Sequence, residues 1–217
     1  MSKHMERDLD FLHRAVLAMA DLAEEAVIRA TGALLGSDAN AAQAVIAADN
    51  AIDRFENEVQ EECLKILALH QPVAGDLRRV SSVLLISTDL ERIGDLAVGI
   101  AERATTLSAT DQAVVPGRIA SMAARTTEMV RRSLDAFVHH DTNAAREVIR
   151  LDDEVDADNA AIISELMDGM KQQPDRLEVR LSLFSAVRNL ERIADHTTNI
   201  AEDVIYLVEG RQVRHHN

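Results

Sequence analysis

The stretch Leu90-Glu91-Arg92-Ile93-Gly94-Asp95 returns one hundred residues later as Leu190-Glu191-Arg192-Ile193-Ala194-Asp195. Both copies run on into Ile-Ala-Glu, at Ile100 to Glu102 and Ile200 to Glu202. This repeat constrains the fold more than any other feature, because it divides the 217 residues into two versions of one unit. The remainder superimposes in the same way. At an offset of 103, Met19, Glu25 and Arg29 meet Met122, Glu128 and Arg132, while Asp38, Val45, Asp49 and Asp53 meet Asp141, Val148, Asp152 and Asp156. The offset falls to 102 at Gln71-Pro72 and Gln173-Pro174, and to 100 at the repeated motif. Two small deletions relate the halves.

Each half reads as three helices. Leu9, Leu12, Val16, Met19 and Leu22, spaced by three or four, predict a helix over about 4–35. Gly36-Ser37-Asp38 ends it and caps a second, over about 38–69, whose apolar face carries Val45, Ile52, Val59, Cys63 and Ile66. Gln71-Pro72 opens a third, to about residue 107, and Ser108 to Gly117 is the linker. The order then repeats, with a fourth helix to about His139, a fifth after His140-Asp141 and a sixth from Pro174 to about Gly210. A helix of about 32 residues is about 48 Å long, so short turns leave only an up-down-up arrangement. The expected fold is all-α: two tandem antiparallel three-helix bundles, residues 1–108 and 118–217, related by a pseudo-twofold.

Composition agrees. Hydrophobic residues make up 47% but aromatic residues only 2%, so the core is built from Ala, Leu, Ile and Val, a palette for closely packed helices. A net charge of −14 argues against nucleic acid and against free anions, and favours cations or basic partner surfaces. Cys63 is the only cysteine, which rules out an intrachain disulfide; its apolar setting predicts a core residue. The apolar run from Val16 to Val27 is interrupted by Asp21, Glu24 and Glu25, so neither a secretion signal nor a membrane span is expected, and the location expected is cytoplasmic.

Each half contains two acidic pairs four residues apart: Asp49 with Asp53 and Glu91 with Asp95, then Asp152 with Asp156 and Glu191 with Asp195. Residues so spaced share a helix face. Opposite the stripe of Ile86, Leu90, Ile93 and Ala97, Glu91 and Asp95 are expected on the outside of the bundle. Three readings compete: a solvated face, a face bridged by Arg92 and Arg192, and a patch that holds metal. Preservation of the pairs in both halves favours a function. An oxygen ligand set suits Mg²⁺, Mn²⁺, Ca²⁺ or iron; zinc is possible, but a closed Cys/His zinc site lacks its ligands. Asn199 and Glu202 extend the second patch along its helix, and Glu25 and Glu128 are further candidate oxygens. His196 answers to Leu96 and reads as packing, and His139, His140, His215 and His216 need no role. No Glu-x-x-His, phosphate-binding glycine loop or nucleophile motif occurs, so an enzyme is not expected.

Gln71-Pro72-Val73-Ala74-Gly75-Asp76-Leu77-Arg78, Asp89 to Ala97 and Asn189 to Glu202 closely resemble the PhoU family of phosphate-transport regulators. The resemblance covers almost the whole chain, duplication included. It implies the tandem bundles and metal clusters on the acidic motifs, all four of which are intact. It further implies a negative regulator of phosphate uptake and of the phosphate-starvation response, linking the ATPase of the phosphate ABC transporter to the sensor histidine kinase. Membranes are then reached only through partners. A homodimer is expected, since long bundles leave flat faces available. Gly99 departs from the pattern, because relatives often carry Asn there, as at Asn199; a metal supported by that amide would bind the first patch more weakly. The alternative is a metal-storage or metal-dependent hydrolytic protein using the same carboxylates.

Overall fold

A computed structural model describes residues 3–110 and 115–213. The first bundle comprises α1 (Lys3–Gly36), α2 (Ala39–Ala48), α3 (Asn50–His70) and α4 (Ala74–Ser108). The second comprises α5 (Gly117–His139), α6 (Thr142–Gln172) and α7 (Leu177–Glu209). Only helices and turns occur among the described residues, as the periodicity requires. Part of the expected linker, residues 111–114, lies outside the described residues, as do His215 and His216.

The duplication extends to turn geometry. Ser37 and its counterpart His140 both adopt the left-handed conformation, at φ 49° and 55°. Each is followed by an aspartate whose backbone N–H reaches five residues back, Asp38 to Ala33 and Asp141 to Ala136, both at 3.0 Å. These bonds satisfy carbonyls that the helix end would otherwise leave unpaired. The same aspartates then cap the next helix, Asp38 accepting from the N–H groups of Asn40 and Ala41, Asp141 from those of Asn143 and Ala144. The left-handed residue is the one after Gly36, so the glycine is the last helical residue and not the reversal itself.

Two boundaries differ from expectation. The second helix is interrupted for one residue at Asp49, whose carbonyl accepts a tight three-residue bond from the N–H of Ile52 at 2.9 Å. Asp and Asn favour local bonds over helix propagation, and Ala48-Asp49-Asn50 meets little packing support, whereas Leu151-Asp152-Asp153 continues unbroken in α6. Pro174 opens a single 3-10 turn, Pro174–Arg176, ahead of α7.

Packing explains one paired difference between the repeats. A Cβ on Gly94 would lie 2.8 Å from Cδ1 of Ile52, so α3 approaches α4 closely there. In the second half the position of Ile52 is taken by Val155, and that of Gly94 by Ala194. One methyl group has moved from one helix to the other. The cores of the two bundles merge into a single apolar cluster running from Met5 to Ile205. They meet along α4 and α7, which run antiparallel, so a twofold perpendicular to this ribbon exchanges the halves and keeps equivalent residues on the same face.

Candidate metal-binding patches

Each patch forms where the helix bearing the first acidic pair crosses the helix bearing the second. In the first half Asp49 stands at the α2–α3 junction, Asp53 in the first turn of α3, and Glu91 and Asp95 on α4. In the second, Asp152 and Asp156 lie on α6, and Glu191, Asp195 and Asn199 on α7. The patches are less external than expected. Glu91 and Glu191 expose only 17% and 14% of their side chains, while Asp95 exposes 46%. Asp152 is fully covered. A helix opposite an apolar stripe remains open only if nothing lies beside it, and here α3 and α6 lean over the glutamates.

The electrostatics follow from that burial. Burial, and then repulsion from Asp53 and Asp95, holds the Asp49 carboxyl above its ordinary range. Glu91 is raised by burial and by Asp95, Glu191 by burial and by Asp195, and Asp195 by burial and by Asp156. Acids from two helices therefore feel each other in both halves, across α3–α4 and across α6–α7. Glu191 Oε2 is buried yet accepts no hydrogen bond; Glu91 Oε2 accepts none either, but the Arg92 guanidinium stands 3.3 Å from it. Leaving such an oxygen unsatisfied costs about 1–3 kcal/mol, and a cation is the ligand that would relieve it.

Arginines answer part of the charge, and differently in each half. Arg92 bridges its own motif, with Nε 3.3 Å from Glu91 and Nη1 3.5 Å from Asp95. In the second half it is Arg188, not Arg192, that donates to Glu191, at 2.9 Å. Its counterpart is Thr88. Both arginines are about half exposed, and exposed pairs of this kind contribute only about 0–1 kcal/mol. A metal would displace them readily. Glu25 pairs with Arg29, and Glu128 with Arg131 and Arg132, so both are engaged on α1 and α5.

The donor chemistry fits a hard, oxygen-seeking cation. The side chains as placed do not yet form a shell: among the described residues no group of three or more His, Cys, Asp or Glu side chains converges as ligands. Binding would need rotamer changes at Asp53 and Asp95 in the first patch, or at Asp156 and Asp195 in the second.

The PhoU domain family matches residues 16–104 and 119–204, one match in each half. This chain belongs to the PhoU family. It is 38% identical over 218 aligned positions to the phosphate-specific transport system accessory protein PhoU homolog of Pseudomonas aeruginosa, covering 99% of this chain and 89% of the relative. The homolog from Clostridium acetobutylicum is 35% identical, with 97% of each chain covered. The crystal structure of PhoU from Pseudomonas aeruginosa superimposes with a TM-score of 0.93 at 37% identity, over 95% of this chain and 99% of that one. That of the phosphate transport system regulatory protein PhoU from Streptococcus pneumoniae gives 0.89 at 28% identity, over 97% and 99%.

Within this PhoU-family chain, two candidate ligands escaped the sequence reading. Glu56 adds to the charge on Glu91, and its counterpart Asn159 has a buried Oδ1 that accepts no hydrogen bond. Both lie three residues beyond the second aspartate of the pair, so a pattern of two acids followed by an acid or amide at i, i+4 and i+7 would have found them. Asn199, a candidate ligand of the second patch, also reaches the other half. Its Nδ2 donates to Asp89 on α4 at 3.2 Å, and His196 Nδ1 meets the same oxygen at 2.8 Å. The packing role expected for His196 is thus a polar link between the halves. At the symmetry-related point Asn189 lies against Gly99, where a Cβ would be 2.5 Å from its Nδ2. Gly99 is there to admit Asn189.

Proposed function

We propose that this chain is a non-enzymatic regulator of phosphate transport. It restrains uptake and the phosphate-starvation response by contacting the ATPase of the phosphate ABC transporter and the sensor histidine kinase. The observation that carries the reading is end-to-end similarity to relatives named as accessory or regulatory proteins of phosphate transport, with nearly all of this chain and of theirs aligned. No helix among the described residues is long and apolar enough to cross a membrane, so contact with a transporter runs through its extramembrane parts. The long rigid bundles and the charge of −14 suit docking on basic protein faces.

In this reading the paired carboxylates hold divalent or transition metal ions, iron, Mn²⁺ or Mg²⁺ foremost. The first site would use Asp49, Asp53, Glu91 and Asp95, and the second Asp152, Asp156, Glu191 and Asp195. Such ions neutralise the repelling acids and tie α3 to α4 and α6 to α7. Deleting the gene should render a phosphate-repressed alkaline phosphatase reporter constitutive, and complementation should restore repression. A reporter that remains repressed in the deletion strain, with pull-downs recovering neither ATPase nor kinase, would overturn the proposal.

A further inference from the structure

The outer face of the α4–α7 ribbon carries two grooves, one at each end, exchanged by the pseudo-twofold. The first, about 630 Å³, lies where Arg103 and Thr106 face the Pro174–Ser182 stretch. The second, about 440 Å³, is lined by Leu85, Asp89, Glu202, Asp203, Tyr206 and Val213. They are equivalent in position but differ in charge: the first sets Arg103 among Asp175 and Glu178, whereas the charged residues of the second are all acids, Asp89, Glu202 and Asp203. In the first, Glu102 and Arg103 form an ion pair at 3.1 Å within the chain. In the second, the residue answering to Arg103 is Asp203, beside Glu202 and facing Asp89. A cation has been replaced by an acid at the same point of the duplicated frame. Asp203 makes no ion pair among the described residues, and burial together with Asp89 and Glu202 pushes its carboxyl up to about 7. Leu85, one wall of the groove, is 51% exposed.

We propose that this second groove is a docking site for a basic, amphipathic helical segment of a partner protein. A Lys or Arg of the segment takes the place that Arg103 holds in the twin groove, against Asp203 and Asp89, while its apolar side rests on Leu85 and Tyr206. A helix laid in a groove with one apolar wall and one charged wall is a recurring mode of recognition, and pairing a half-buried acid with an incoming cation supplies the selectivity. The inference rests on the regulatory reading above, since it supposes that the chain works by touching other proteins.

The test uses the full chain with the purified transporter ATPase and the kinase's cytoplasmic region as probes. Wild type, Asp203→Asn, Asp203→Arg, Leu85→Asp and Leu181→Asp are compared by titration calorimetry at two salt concentrations, after thermal melts confirm folding. The expected result for at least one probe is a loss of tenfold or more with Asp203→Arg and Leu85→Asp. Asp203→Asn should lose less, and binding by the wild type should weaken with salt. Leu181→Asp, in the twin groove, should change nothing. Wild-type affinity in both Asp203→Arg and Leu85→Asp would overturn the groove while leaving the regulatory reading intact. Should wild type bind neither probe, the regulatory reading falls and the groove with it. Loss of self-association in Asp203→Arg, with partner binding unchanged, would give the groove to a second copy and also overturn the proposal. If Asp203→Arg alone fails to fold, Leu85→Asp and Asp203→Asn decide.

Discussion

Replacing Glu191 by Gln should make the metal-free protein more stable, the reverse of what most buried substitutions do. Glu191 has one oxygen engaged by Arg188 at 2.9 Å and one, Oε2, buried with no hydrogen bond. Its charge is opposed by Asp195 and Asp156. The amide keeps an acceptor for Arg188 and removes the repulsion. Against a penalty of about 1–3 kcal/mol for an unsatisfied buried polar atom, a net gain of about 1 kcal/mol is expected. For a chain of this size that is about 2–4 °C in Tm. In metal the order should invert. Saturating Mn²⁺ at about a hundred times Kd adds about 2.7 kcal/mol to a protein that binds only when folded, and Glu191→Gln should forfeit most of its share. The assay is thermal unfolding by circular dichroism in EDTA and across a MnCl₂ titration. A variant that melts lower in EDTA, yet gains as much from Mn²⁺ as wild type does, would refute the reasoning.

Acidification supplies a second test. Asp49, Glu91, Glu191, Asp195 and Asp203 all have raised pKa values in the fold, Asp203 to about 7. The folded chain therefore binds more protons than the unfolded chain between about pH 4 and 7, and stability rises as pH falls through that window. Asp8 has the opposite sign: its hydrogen bond with His70 lowers its pKa, so its contribution is present above about pH 4 and lost below it. Burial lowers the pKa of His13, which costs stability as pH falls below about 6.5, but the five acids outnumber it, so metal-free Tm should climb from pH 8 to about 5.5 and drop below about 4; a monotonic fall from pH 8 would contradict the burial of these acids. Gly94→Val should cost about 1–3 kcal/mol by overpacking against Ile52, and Ile52→Val in the same chain should recover at least half of it in denaturant melts. Failure of that rescue would mean the glycine answers to something other than Ile52. Cys63 is buried, with its thiol pushed up to about 12, so a thiol reagent at pH 8 should label it only at the rate of unfolding. Labelling within minutes of native protein would place it elsewhere.

Most of the architecture could be read from spacing. The apolar periods located six helices, and the two aspartates after Ser37 and His140 announced matching caps. The single irregularity at Asp49 was hidden because Ala48-Asp49-Asn50 is compatible with helix, and only the comparison with a better-packed Leu151-Asp152-Asp153 explains it. The acidic pairs were found by their recurrence, but their depth was not. Angle around one helix says which side a residue occupies, whereas burial of Glu91 and Glu191 depends on how far a neighbouring helix leans. Asn199 shows the same limit from the other direction. Its spacing from Asp195 suggested a ligand, and its partner Asp89 is on a helix of the other half, which no period within α7 can reveal. Asp203 drew no notice as a surface acid until the frame set it against Arg103.

The merging of two cores along α4 and α7 has a consequence for how such a chain can come to differ from end to end. Were the halves separate identical subunits, every substitution at the ribbon would appear twice, and Asp89 with Asn189, or Arg103 with Asp203, would be impossible pairings. One continuous polypeptide removes that restriction. Its two ends share a scaffold yet need not share a surface, and a molecule with unlike ends can stand between two different neighbours and hold each by a separate hand.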